Sequence, residues 1–347
     1  MTTQWKKFLI NNGASLQHNF VKDFGKPEDE AIAALSKNII MDLSYFAIVE
    51  ISGSDAEEFL HGLFTSDIKK LDDECFQFSA WCNPKGRVLA NFIVVKLGEI
   101  YYLILPDDLK AQFIKKLQIY ILRSEVSISD HSSELIRLGI LAKDIEHLMM
   151  IGITDSVREQ PSKVIKHHDL IIIALPGKES RMFIFGPEQQ ARQLWQKLAE
   201  DFLSVGSQYW QLHDILSGIA WISEQSSESF LPQTLNLDCL DGVSLNKGCY
   251  TGQEIIARMH YRGKLKQRMF LANIKSAIQP ETGAKLYSQH VVQSVGMIIN
   301  AARYAEKDYQ VLVAVDMDQA SDDNVHLHDA SGPLLNFHAL PYPIETG

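Results

Sequence analysis

The chain has 347 residues, 46% of them apolar and 22% charged, an ordinary globular composition whose length suits two or three domains rather than one core. A net charge of −10 argues against broad, sequence-independent nucleic-acid binding. No apolar run approaches the ~20 residues of a membrane helix, and the opening MTTQWKKFLINNGASLQHNF lacks the long apolar run and cleavage site of a signal peptide.

Residues 1–40 read as an N-terminal arm, mobile and feeding a first strand. Residues 44–52 (SYFAIVEIS) then read as a strand. Ser54, with Glu57 three positions later, reads as a capping box opening a helix that carries Phe59, Leu60, Leu63 and Phe64 on one face and ends near Thr65. Residues 75–82 alternate like a strand, Asn83-Pro84-Lys85-Gly86 is a turn, and residues 87–97 form the next strand. A repeat follows. Residues 92–120 run strand, Gly98 turn, strand 100–105, Pro106, helix. Residues 169–203 run strand 170–175, turn, strand 181–185, Pro187, helix. Each is a β-hairpin followed by an amphipathic helix, and two such units side by side would leave a crevice. After residue 268, strand-like runs at 268–274, 291–301, 309–316 and 335–340 alternate with turn residues, which reads as a small all-β domain, a barrel. The domain reading is therefore arm 1–40, two α+β subdomains over 41–265, and a C-terminal β-barrel over 266–347.

Four cysteines, at 75, 82, 239 and 249, form no C-x-x-C pair and point to a reducing, cytoplasmic compartment. His167–His168 and His326-x-His328 lack a matching third ligand, so they read as polar strand or loop positions, and no metal site is expected. One window departs from the acidic average: residues 247–268 hold Lys247, Arg258, Arg262, Lys264, Lys266 and Arg268 against Glu254 alone. A strip of that kind suits a local anionic ligand or a solvated helix face, and charge alone does not choose.

The sharpest segment is SLNKGCYTGQEIIARMHYRG at 244–263. Thr251 and Glu254 make a capping box, and Tyr250 with Ile255 a hydrophobic staple, for a helix from Gly252 to about Tyr261 with Gly263 as its stop. Cys249 then lies, half-exposed, just ahead of a helix N-terminus with Lys247 two residues before it, an arrangement that favours thiolate. Such a cysteine is a candidate nucleophile, redox thiol or metal ligand; the alternative is a small buried thiol beside a tight turn. Gly248 and Gly252 on either side favour the functional reading.

Lys247-Gly248-Cys249-Tyr250-Thr251-Gly252-Gln253-Glu254 resembles the K-G-C-Y-x-G-Q-E signature of the YgfZ family. HGLFTSDI at 61–68, CNPKGR at 82–87, the approach FLPQTLNLDCLDGVSLN and the terminal ALPYPIE are similar to other family segments, so the resemblance covers roughly residues 40–345. It implies an α+β, aminomethyltransferase-like folate-binding fold: two α+β subdomains and a small β-barrel in a ring around a central pocket. It implies tetrahydrofolate or a one-carbon derivative as cofactor. The family's aromatic folate contacts fall on Phe46, where the family carries tryptophan, and on Trp210. The remaining expected cofactor contacts are Asn91, Tyr250, Gln253, Glu254, Arg258 and Arg262, with Arg258, Arg262 and Lys264 suited to the glutamate tail. Cys249 and Lys247 are the expected chemical pair.

The related aminomethyltransferases carry an Asp-Asp pair where this chain has Ala90-Asn91, and an amide cannot replace a carboxylate acid or base. The resemblance thus implies a folate-binding accessory or regulatory protein rather than a conventional enzyme. Its expected partners are iron–sulfur proteins or their assembly factors, its effect runs through them to tRNA modification, and neither direct nucleic-acid binding nor a membrane is expected. Two alternatives are a folate-dependent aminomethyl or demethyl transferase, which Ala90-Asn91 opposes, and a tRNA-binding protein using the basic strip, which the net charge opposes.

Overall fold

The computed structural model describes residues 1–143, 148, 163–177, 179–261, 263, 265–289, 291–320 and 324–344. Three sheets organise them. The first runs, in spatial order, Phe76–Cys82, Val88–Leu97, Ile100–Pro106, Phe46–Ser52 and Ser127–Asp130, all antiparallel. The second runs Val164–His167, Leu170–Leu175, Ser180–Pro187, Leu135–Ala142, Ile39–Asp42 and Leu203–Ser204, antiparallel except for its last pair. The architecture is α+β, as the sequence implied.

The repeat is present in both units. The helix Asp107–Ile119 follows strand Ile100–Pro106, and the helix Glu188–Leu198 follows strand Ser180–Pro187. A proline holds each N-cap position, and acidic residues (Asp107, Asp108; Glu188) occupy each first turn, where the helix dipole favours them. The two sheets are stitched together by consecutive strands, Ile39–Asp42 in the second and Phe46–Ser52 in the first. The corner between them is held by Asp42, which accepts from Trp5 Nε1 (2.7 Å), Ser44 N (3.0 Å) and Ser44 Oγ (2.9 Å), and by Arg137, which donates to the Ser44 carbonyl at 3.0 Å.

The first forty residues are not a free arm. Helix Thr3–Asn11 is capped by Thr2 Oγ1, which accepts from Trp5 N at 2.9 Å. A hairpin (Ser15–Gln17 with Phe20–Asp23) and the helix Pro27–Ser36, with Pro27 in its first turn, follow. Trp5, Phe8 and Leu9 are buried, and Trp5 meets Trp195 edge-on at 5.8 Å. Burying each such side chain is worth roughly 1.5–3 kcal/mol, which offsets part of the entropy of ordering the segment.

The expected capping box at Ser54 does not form: Ser54 Oγ donates to Glu125 at 2.8 Å, and the helix spans Ala56–Leu63. The C-terminal unit is one curled sheet, in order Val325–Leu327, Lys285–Ser288, Val291–Arg303, Asp308–Asp316, Gln267–Lys275 and Leu335–His338. The expected barrel is a curled half-barrel, whose two edges meet, among the described residues, in one isolated bridge, His326 to Leu334. The expected strands at 268–274, 291–301, 309–316 and 335–340 are all there; the short strands Lys285–Ser288 and Val325–Leu327 went unread. His326 is held inside the protein, hydrogen-bonded to Gly332 O (2.8 Å) and Asn324 Oδ1 (3.1 Å), a polar strand position.

Candidate functional site

A cavity of about 630 Å³ opens where the N-terminal hairpin, both α+β units and the half-barrel meet. Its floor is built largely by the helix Gln208–Leu216 and the loop after it. Gly218 (φ +67°) ends that helix in a Schellman turn, with Ile219 N donating to Asp214 O (2.9 Å) and Gly218 N to Ile215 O (3.0 Å). The turn swings residues 219–223 across the cavity as a wall. Two asparagines hold that wall. Asn91 Nδ2 donates to Ala220 O (2.7 Å) while its Oδ1 accepts from Ile222 N (2.8 Å). Asn300 Oδ1 accepts from Trp221 N (2.9 Å) and its Nδ2 donates to Trp221 O (3.0 Å).

Trp221 is thereby presented to the cavity, edge-on to Phe46 at 4.9 Å, with Tyr45 at 4.7 Å from Phe46. Asp214 lies on the floor, 1% exposed. Its Oδ1 accepts from Arg181 (2.7 Å) and its Oδ2 from the Trp221 indole (2.9 Å). Burial pushes the Asp214 carboxyl above its ordinary range, and Arg181 opposes that shift. His213, next along, is driven down to about 3 by burial and then by Arg181; it stays neutral and bonds the Ala34 carbonyl at 2.8 Å.

Of the expected cofactor contacts, Phe46 lines this cavity. Trp210 does not. It is 1% exposed beneath the floor, under the Arg181 guanidinium (5.1 Å), against a bare Gly139 where a Cβ would come within 2.5 Å of its ring. Trp221, unread in the sequence, is half-buried and is the aromatic of this segment that lines the cavity. Asn91 is 2% exposed, and both its side-chain atoms are committed to the wall. It braces the cavity from behind.

The 247–254 motif forms a separate feature and does not line the cavity. Lys247 Nζ donates to the carbonyls of His61 (2.5 Å), Phe64 (2.7 Å) and Ser66 (2.9 Å), and lies 5.0 Å from the centre of the Tyr250 ring. It is a cationic cap on the C-terminus of helix Ala56–Leu63, where orphan carbonyls and the dipole favour a cation. Burial pushes the ammonium down to about 8. All three of its protons are committed to carbonyls, so none is left for Cys249, contrary to the expected pairing.

Cys249 is exposed and Tyr250 is buried. Gly252 (φ +83°) packs on the 83–86 turn, where a Cβ would meet Asn83 O at 2.6 Å. The helix spans Gln253–Tyr261, and Gly263 N donates to Arg258 O (2.8 Å), as expected of its stop. No Thr251 side-chain cap bond is found among the described residues. Gln253 is half-buried, Glu254 and Arg258 are exposed, and Arg262 and Lys264 lie outside the described residues.

Residues 12–144 match the family model for the GCVT N-terminal domain. The "tRNA-modifying protein YgfZ" of Sodalis glossinidius is 27% identical over 307 residues, 88% of this chain and 93% of the relative. That of Serratia proteamaculans is 28% identical over 308 residues, 88% of this chain and 92% of the relative. The chain is thus similar to the YgfZ proteins over nearly nine-tenths of its length. Among solved structures, the glycine cleavage system aminomethyltransferase T of Bartonella henselae superposes with a TM-score of 0.75 at 14% identity, covering 98% of this chain and 97% of that one. The chain therefore has the aminomethyltransferase fold, and in it Asn91 serves as a brace of the cavity wall. Among the described residues, no group of three or more His, Cys, Asp or Glu is gathered as for a metal ion, and no helix is long and apolar enough to cross a membrane.

Proposed function

We propose that this protein is a folate-binding accessory factor of the YgfZ type, active in the cytoplasm, which supports tRNA modification by assisting iron–sulfur proteins or their assembly factors. The observation that carries this reading is the commitment of Asn91. The residue at the transferase carboxylate position has its donor and its acceptor bonded to the backbone of the cavity wall. A site so arranged binds a folate without the general acid or base that turnover requires.

The lining fits the ring system of a folate. About 630 Å³ lies within the roughly 300–1,000 Å³ of small-molecule sites. Phe46 and Trp221 offer an aromatic wall, and Asp214 offers lone pairs to ring N–H groups that face it. Bound tetrahydrofolate would supply a one-carbon carrier. The chain's own part is to exclude water from the ring and to orient it against Asp214. Support for the tRNA link comes from the similarity to relatives named as tRNA-modifying proteins. The exposed Cys249, outside the cavity, suits contact with a partner protein rather than with the bound ring.

Calorimetry with tetrahydrofolate tests the first half: wild type binds, and Trp221→Ala weakens binding about tenfold or more, as loss of a stacking aromatic requires. Absence of wild-type binding would remove the folate reading. For the second half, Cys249→Ala binds folate normally but fails to restore tRNA modification in a strain lacking the protein; full restoration would overturn the role given to the thiol.

A further inference from the structure

We infer that His18, at the tip of the N-terminal hairpin, reads the anionic end of the cavity's ligand; this rests on the folate reading above. The cavity has a graded lining. Phe46, Asp214, Ile215 and Ile219 at its floor are each no more than 2% exposed, whereas Gln17, His18, Asn19 and Asp108 are exposed and so form its mouth. A ligand with a flat ring and a carboxylate tail must place the ring on the floor and the tail at the mouth, because desolvating unpaired carboxylates is costly.

The mouth is poor in cations. No lysine or arginine is among the described lining residues, and His18 is the one basic side chain there. Asp107 is paired with Lys110 at 2.9 Å and Asp108 accepts from Glu224 N at 3.0 Å; as carboxylates, neither can hold an anionic tail. His18 is left as the residue whose ring N–H donates to a carboxylate in either protonation state.

The hairpin is held in register with the floor. Ser207 N donates to Val21 O (2.8 Å), and Gln208 Nε2 to Lys22 O (2.9 Å). Phe20 packs on Tyr45 at 5.5 Å. The helix that starts at Gln208 and anchors the hairpin is the one that carries Asp214 and Ile215. Ring and tail ends are thus positioned from one element.

The test is titration calorimetry of the full chain with tetrahydrofolate and with tetrahydropterin, which lacks the benzoylglutamate tail. His18 has φ +56°, so His18→Asn is the variant of choice: asparagine tolerates left-handed backbone and removes the imidazole. Wild type binds tetrahydrofolate about fivefold tighter than tetrahydropterin, the scale of one exposed charge-assisted contact. His18→Asn erases that preference, leaves tetrahydropterin affinity unchanged and melts at the wild-type temperature. Equal wild-type affinity for both ligands, or equal weakening of both in the variant, overturns the inference and leaves the folate reading standing. If wild type binds neither ligand, the folate reading falls and takes this inference with it.

Discussion

His213 makes the stability of this protein fall as pH drops through the weakly acidic range. Its imidazole is 4% exposed, bonds the Ala34 carbonyl at 2.8 Å, and is driven from 6.5 down to about 3 by burial and by Arg181. In the unfolded chain it regains its ordinary affinity for a proton. Between those two values the unfolded state holds a proton that the native state refuses, so stability is full above 6.5 and is lost as pH falls toward 3. Linkage gives a loss of about 2 kcal/mol between roughly pH 7.5 and 5, approaching about 5 kcal/mol near the native value. His213→Gln keeps a donor for Ala34 and cannot titrate. Urea unfolding followed by tryptophan fluorescence at both pH values supplies the comparison. The wild type should lose about 2 kcal/mol more than the variant over that interval. Parallel losses would refute the claim that this histidine is buried neutral.

Two further outcomes follow from the braces. Asn91→Asp removes the donor to Ala220 O and sets a carboxylate against that carbonyl, so it should cost about 2–4 kcal/mol and lower Tm by several degrees rather than restore transferase chemistry; an unchanged Tm would show that the wall does not depend on this amide. Lys247→Met leaves the carbonyls of His61, Phe64 and Ser66 without their donor and should release the Cys249 loop. Alkylation of Cys249 by iodoacetamide should then become several-fold faster, whereas a slower rate would mean that the ammonium activates the thiol.

Much of the architecture is legible in local pattern. The hairpin–helix repeat announces itself by period-two strands, the Gly98 turn, and Pro106 and Pro187 at the two helix starts. Gly252 and Gly263 mark real constraints around the helix at 253–261. The segment before residue 40 was misread because Trp5, Phe8 and Leu9, spaced as one helical face, are few enough to pass for scattered apolar residues of a tail. Asn91 was placed in the ligand's reach because its position in the strand is visible in sequence and its partners, 129 and 131 residues away, are not.

Periodicity, prolines, glycines and the 247–254 motif by themselves determined most elements after residue 40, the hairpin–helix repeat and the family resemblance, since these depend on neighbours a few residues apart. Only the tertiary structure decided which tryptophan meets the cavity. Trp210 and Trp221 are both plausible stacking residues in one dimension. The Schellman turn at Gly218 and the clamps from Asn91 and Asn300 send Trp221 to the wall, and Gly139 opens a slot for Trp210 in the core. The cavity gathers residues from 17 to 301, and what each side chain touches there is set by packing between segments whose separation along the chain carries no local signal.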